Sequence, residues 1–501
     1  MSMNSKYQRL EGIEDNLLLP HEVNGNNSNK KETQLLKFKR YIVKKWKILA
    51  LLFFVVLLVV GVILIPIIVQ RYKTSVISHQ CEQYGKQIID KALKGTEAYS
   101  TLSTFVTLFP GRLSGTKILE NGIDWILGMM GDDGFDLVHS DDVQVTNWVR
   151  NNEHAYITEP YYRKMNILGL GGSIAGNVTA PVLVVSSFDE LDQVKDQVPG
   201  KIVLFNAIFT NYSSTVQYRG GGASAAAKYG GVAALVRSIT PYSLGTPHTG
   251  VMWYNSAYPK VPTAAITLED ADLIQNLVNL GQNVTINLYM EAETLPMATS
   301  RNIFAQINGT EYPDDVVVLG GHVDSWDIAY GAMDDGGGFM VAYEALRLIK
   351  ALGIKPKRTI RAVGWTNEEN GAAGGQDYAN RYTNETFFSI ESDFGVTTPL
   401  GFTVNASSNT IKSLQLIANK ILEPIKATSI EFGEVGTDNG FLVENGKPGA
   451  QLMTDMSRYF WYHHTAGDAM DKMDSGEMDQ CVGAMASMAL CIANWAESTI
   501  S

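Results

Sequence analysis

Residues Val316 to Lys350 read VVVLGGHVDSWDIAYGAMDDGGGFMVAYEALRLIK. The first four are an unbroken apolar, mostly β-branched run, the pattern of a strand buried on both faces. From Gly338 to Lys350 the apolar positions Val341, Leu346 and Ile349 predict a helix with one packing face. A buried strand leading into a helix is the repeating unit of a parallel α/β sheet. Between the two lie His322, Asp324 and the adjacent pair Asp334 and Asp335. Neighbouring carboxylates repel each other, so this pair makes a poor turn unless a positive charge lies beside it.

The pattern recurs downstream. Ile360–Trp365 predicts a strand running into TNEEN, which carries Glu368 and Glu369, and Phe388–Glu391 begins another that runs into SDFG, which carries Asp393. Further on, YHHTAGD supplies His463 and His464. Ligands of open parallel sheets bind outside the carboxyl ends of the strands, so these loops are expected to converge. Carboxylates with imidazole suit zinc, and ligand type alone also admits manganese or cobalt. Each residue has a plainer reading in isolation. His322 fits a structural histidine, Asp334 with Asp335 a helix cap, Glu368 with Glu369 a solvated loop, and His463 with His464 members of an aromatic cluster beside Tyr459, Phe460, Trp461 and Tyr462. A metal explains all of them at strand ends at once.

Residues 166–293 have a different texture. Buried-strand runs (VLVVSSF, KIVLFN, VAALV, AAITL) surround a small-residue helix, GGGASAAAKYGGVAALV, with no dense cluster of Asp, Glu and His. This segment is not expected to house the chemistry.

The N-terminal region differs in kind. Ile48–Val69 is an apolar run of 22 residues without a charged side chain, long enough to cross a hydrocarbon core of roughly 30 Å as one helix. It continues into QRYK without a small-residue cleavage site, which favours an uncleaved anchor. Six basic residues just upstream (Lys37, Lys39, Arg40, Lys44, Lys45, Lys47) against Arg71 and Lys73 downstream predict a type II orientation. Met1–Lys47 would be a polar, unstructured cytoplasmic tail. Its Tyr7–Leu10 and Glu14–Leu19 patterns resemble sorting signals, which predicts endosome, lysosome or plasma membrane as the destination, with the catalytic part lumenal or extracellular. Six sequons beyond the anchor, at Asn177, Asn211, Asn283, Asn308, Asn384 and Asn405, fit glycosylation on that side, while the Asn26 sequon would stay unmodified. Residues 48–501 carry 30 Lys and Arg against 47 Asp and Glu, a net charge of −17, which argues against nucleic acid as a partner. Of three cysteines, Cys481 and Cys491 stand ten apart in a helical pattern, about 15 Å by helix rise and too far for a bridge. Cys81 is expected to be a free thiol or to link two chains.

Taken together, HVDSWD, GAMDDGGG, WTNEENG, ESDFG and YHHTAGD resemble the motifs of co-catalytic dizinc exopeptidases, a likeness that runs from about residue 80 to the end and includes GRLSGT (Gly111–Thr116) and TVQYR (Thr215–Arg219). It implies an α/β fold with a mixed, mostly parallel sheet flanked by helices. A stalk and first part of the peptidase domain would occupy residues 70–165, an inserted β-rich protease-associated domain 166–293, and the main peptidase domain 294–501. It also implies two Zn2+ per chain, with His322 and Asp393 on one, Glu369 and His464 on the other, and Asp334 bridging. The choice of His464 rests on Asp468 four residues on, and a cis peptide would join Asp334 to Asp335. Glu368 would be the general base and Asp324 would orient His322. The implied activity is hydrolysis of dipeptides or short peptides, of carboxypeptidase or dipeptidase type, by a homodimer. A non-catalytic receptor or scaffold on the same fold and a single-zinc glutaminyl cyclase are the alternatives.

Overall fold

The computed structural model describes residues 28–495, with side chains at 36–65 and 81–495. The chain divides into two units, Met1–Ser75 and Val76–Ser501. One helix, Ser28–Ala92, holds the N-terminal apolar run, so residues 28–47, expected to be unstructured, are helical. Lysine, leucine and glutamine there are good helix formers and continue the helix of the apolar run. Its 30-residue stretch Leu36–Ile65 is long and apolar enough to cross a membrane, and the protein buries none of it. The sorting patterns and the Asn26 sequon lie outside the described residues, as do the side chains of Pro66–Val69.

In the second unit an eight-stranded sheet runs in the order Leu137–Val149, Glu293–Ile307, Arg358–Trp365, Tyr312–His322, Thr386–Glu391, Gly449–Thr454, Pro399–Asn405, Ser429–Phe432. The four strands from Arg358–Trp365 to Gly449–Thr454 are parallel. Antiparallel pairings flank them on both sides, which makes the sheet mixed as expected. Successive residues of a strand face opposite sides. Val317 and Leu319 accordingly join one buried cluster with Phe339, Val341, Leu346 and Ile349 of helix Gly337–Ala351. Val316 and Val318 join another with Trp365, Tyr378 and Leu442. Apolar residues on both faces are what the VVVL run requires.

A second eight-stranded sheet uses Arg163–Met165, Glu153–Glu159, Thr285–Met290, Gly176–Val185, Ile202–Phe205, Ala233–Arg237, Thr263–Ile266 and Ile167–Gly169, in that order. It takes in two strands ahead of Asn166. Helix Tyr212–Lys228 lies close to this sheet because of its small residues: a Cβ on Gly222 would stand 3.0 Å from the Phe205 ring.

The cysteine expectation is corrected. Cys81 and Cys491 form a disulfide with Cα atoms 5.1 Å apart, and Cys481 is the free, buried thiol. The end of helix Ser28–Ala92 enters the main core, where Ile88, Ile89 and Ala92 share a cluster with Val482, Met485 and Ala486 of the last helix, Ser475–Ala493. That packing brings together two cysteines 410 residues apart.

Candidate metal centre

The three parallel strands Tyr312–His322, Arg358–Trp365 and Thr386–Glu391 end side by side, and their loops do converge. His322 is the last residue of its strand and fully buried. Its Nε2 lies 3.2 Å from Asp334 Oδ1, 3.3 Å from Asp393 Oδ1 and 4.0 Å from Glu368 Oε2. His464 Nε2 lies 3.3 Å from Asp334 Oδ2 and 3.0 Å from Glu369 Oε2. Asp334 thus turns one carboxylate oxygen to each histidine. His463 Nε2 is 3.6 Å from Asp334 Oδ2, but its ring is stacked on His464 and edged by Tyr212, Tyr459 and Phe460. His463 thus has the contacts of the aromatic-cluster reading and also stands with Asp334 and His464 as a group that could hold a cation, while His464 lies against both carboxylates.

The surroundings hold these groups in place. The Asp334–Asp335 peptide is cis. Asp335 accepts hydrogen bonds from His322 N (3.0 Å) and Gly338 N (3.1 Å), one at each of its oxygens. A Cβ on Gly338 would come within 1.9 Å of Ser392 O, so only glycine allows this close approach. Asp468 accepts from Met333 N and Asp334 N at 2.7 and 3.1 Å. Asp324 accepts from Glu368 N at 3.1 Å, while His322 Nδ1 is closer to the main-chain oxygen of Asp324 (3.1 Å) than to its carboxylate (3.6 Å). Among the sequons, Asn177, Asn211, Asn283, Asn308 and Asn384 are exposed and Asn405 is partly so.

Several contributors were not legible as such in the sequence. Arg112, within GRLSGT and fully buried, donates to the carbonyls of Val323, Tyr330 and Gly331 and staples the loop between His322 and Asp334. The segment expected to be remote from the chemistry supplies Tyr212, Arg219, His248 and Thr249. Arg219 Nη2 donates to Tyr212 Oη at 2.8 Å, and its Nη1 lies 3.4 Å from His464 Nδ1. TVQYR was the one available signal. Together with Asp334, Glu368, Glu369, Asp393, His463 and His464, Tyr212 and Arg219 line a cavity of about 140 Å³.

These donors fit a divalent cation. Ligands placed tetrahedrally around zinc lie roughly 3.3–3.5 Å from one another, close to the separations above. Asp334 Oδ2 and Glu369 Oε2 are buried without a hydrogen-bond partner, as oxygens aimed at a cation would be. Protonation tells the same story. Burial, then the Asp393 carboxylate, pushes Glu368 up to about 8. Burial and Asp334 raise Glu369, and burial and His322 act in opposite directions on Asp393, which ends raised. Burial would lower His322, yet Asp393, Asp324 and Asp334 hold it well above its ordinary value. Burial lowers His463 to about 4, and burial with His463 and Arg219 lowers His464, leaving both neutral and able to ligate. The excess buried negative charge calls for positive charge at the centre.

Residues 302–489 match Peptidase family M28. Carboxypeptidase Q of Xenopus laevis is 40% identical over 437 residues, spanning 85% of this chain and 92% of that protein. The chain belongs to peptidase family M28 and is a zinc metallopeptidase. Human carboxypeptidase Q (Homo sapiens) is 41% identical over 426 residues, 83% of this chain and 90% of that protein. The structure is similar to that of a peptidase M28 precursor from Shewanella amazonensis, with a TM-score of 0.82 and 30% identity, covering 85% of this chain and 99% of that one.

Proposed function

We propose that this chain is a membrane-anchored dizinc exopeptidase of carboxypeptidase Q type that hydrolyses dipeptides or short peptides. The observation that carries the reading is Asp334, whose Oδ1 and Oδ2 lie 3.2 and 3.3 Å from His322 Nε2 and His464 Nε2. His322 and Asp393 would hold one zinc, Glu369 and His464 the other, with Asp334 shared. Bound zinc supplies Lewis acidity that makes water a nucleophile near neutral pH and polarises the scissile carbonyl. Glu368 Oε2, at the cavity with 17% of its side chain exposed, takes a proton from the attacking water and returns it to the leaving amine nitrogen. The Glu368 backbone N–H bound to Asp324 Oδ1 fixes where that carboxylate starts.

Substrate size and polarity follow from the cavity. At about 140 Å³ it is smaller than ordinary ligand pockets of roughly 300–1,000 Å³, which suits a terminal residue rather than a long chain. Arg219 is 5% exposed, its Nε lacks a partner, and it forms no ion pair among the described residues. A buried guanidinium that lines the cavity without an ion-pair partner suits a substrate carboxylate. In the anchoring we favour, Leu36–Ile65 spans the bilayer in type II orientation. The Cys81–Cys491 disulfide supports a lumenal or extracellular catalytic unit, since disulfides persist in oxidising compartments. Glycosylation at the six sequons and a protease-associated domain formed by the second sheet belong to the same reading, and a homodimer rests on the family resemblance.

The test is a panel of free and end-blocked dipeptides with detergent-solubilised full-length protein. Free dipeptides should be hydrolysed, a chelator should abolish this, and capping the C-terminal carboxylate should raise KM. Equal use of C-terminally amidated dipeptides would refute the proposed polarity.

A further inference from the structure

His464 has a left-handed backbone, φ 60°, a conformation uncommon for any residue but glycine. Something outside its own short turn must hold it there. The loop that follows strand Ala233–Arg237 of the second sheet makes the contacts. Thr249 N donates to His464 O at 3.0 Å, and His464 Nδ1 faces Thr249 O at 3.2 Å. His248 Nδ1 faces His463 O at 2.7 Å, and Thr240 Oγ1 donates to Phe460 O at 2.6 Å. The loop is itself anchored: His248 N donates to Ser238 Oγ at 2.9 Å and Thr249 Oγ1 to Gly169 O at 2.8 Å.

His248 has no part in the chemistry proposed above. It is 3% exposed, and its Nε2 has no partner. Because Nδ1 faces a carbonyl, that nitrogen must carry the hydrogen, so the ring acts as a fixed donor to the main chain immediately before His464. Of the two groups at His464 Nδ1, the Thr249 carbonyl at 3.2 Å is nearer than Arg219 Nη1 at 3.4 Å, and an Nδ1–H donated to that carbonyl leaves Nε2 with the free lone pair, directed at Asp334 and Glu369. Partners of this kind orient ligating histidines and tune metal affinity.

We propose that the loop from Ser238 to Gly250 is a clamp that sets His464, and that His248 is a positioning residue for the metal position formed by His464 and Glu369. The second sheet is then part of the metal centre rather than a cover for it. This rests on the two-metal reading.

The experiment measures zinc affinity of the full-length chain in detergent by competition with a chromophoric chelator. It compares wild type with His248→Leu, which removes the donor, and His248→Asn, whose amide places an N–H where Nδ1 was. His248→Leu should bind one of its two zincs about 10- to 100-fold more weakly and the other unchanged, and His248→Asn should restore most of the loss. Two zincs at wild-type affinity in His248→Leu would overturn the inference, as would equal weakening of both sites or a His248→Asn variant no better than His248→Leu. Should His248→Leu fail to fold, Thr240→Val takes its place, with selective weakening of the same site supporting the clamp and unchanged affinity overturning it. A single zinc in wild type would instead overturn the two-metal reading.

Discussion

In the proposed mechanism Glu368 is the base and Asp334 the shared ligand, and the first prediction concerns Glu368. Glu368→Gln keeps the shape and the backbone bond to Asp324 but cannot take a proton, so the variant should retain its zinc while kcat falls by about 10²–10⁴. Metal analysis beside a dipeptide assay checks both halves, and near-normal turnover would remove Glu368 as base. A second prediction concerns pH. Glu368 moves from an ordinary 4.5 to about 8, and Glu369 is raised as well. A raised carboxyl keeps its proton in the folded chain after the unfolded chain has released it, so stability falls as pH rises between the two values. His322 acts in the same direction, with its contribution present below 6.5 and lost as pH rises through the folded value. Asp334 shifts down, but its window lies below 3.8. Burial lowers His463 to about 4 and lowers His464 as well, so these two act in the opposite direction up to about 6.5. Metal-free protein should therefore lose thermal stability from about pH 6.5 to about pH 8, and zinc-loaded protein much less, because the cation replaces the protons. Calorimetry with and without chelator reads this, and a metal-free chain equally stable at both would contradict it.

At the scale of elements, the strand, loop and helix from Val316 to Lys350 show why most of the site was legible. Apolar runs set the strands, and strand ends set where His322, Glu368, Glu369 and Asp393 would meet. The glycines after Asp335 are equally local: Gly338→Ala would put a methyl 1.9 Å from Ser392 O. That overpacking should cost about 1–3 kcal/mol or more and loosen the Asp335 cap, visible as a lower Tm together with weaker zinc binding. A variant with wild-type Tm would show that the helix can shift without consequence. What the sequence hid was the contribution of the second sheet. His248 reaches the main chain 215 positions away, and no local period or spacing records such a contact. Residues 166–293 were set apart for want of a dense cluster of Asp, Glu and His, yet that segment contributes hydrogen-bond donors and a guanidinium to the site.

Across the whole molecule, the disulfide is the clearest case of information held only by packing. Spacing correctly excluded a bridge between Cys481 and Cys491, yet pairing Cys491 with Cys81 requires knowing that the first described helix ends against the last one. Alkylation of denatured, unreduced protein should label one cysteine per chain, Cys481, and reduction should expose all three. Labelling of two or three without reductant would contradict the pairing. Removing the bridge by Cys81→Ala with Cys491→Ala should cost about 2–4 kcal/mol. The disulfide also joins the end of helix Ser28–Ala92 to the catalytic unit's final helix. The central claim, two zincs sharing Asp334, is tested most directly by native mass spectrometry of the full-length chain released from detergent. The account predicts two zinc ions per chain in the wild type and at most one in Asp334→Asn; a wild-type chain that carries one zinc or none at saturating metal would contradict it.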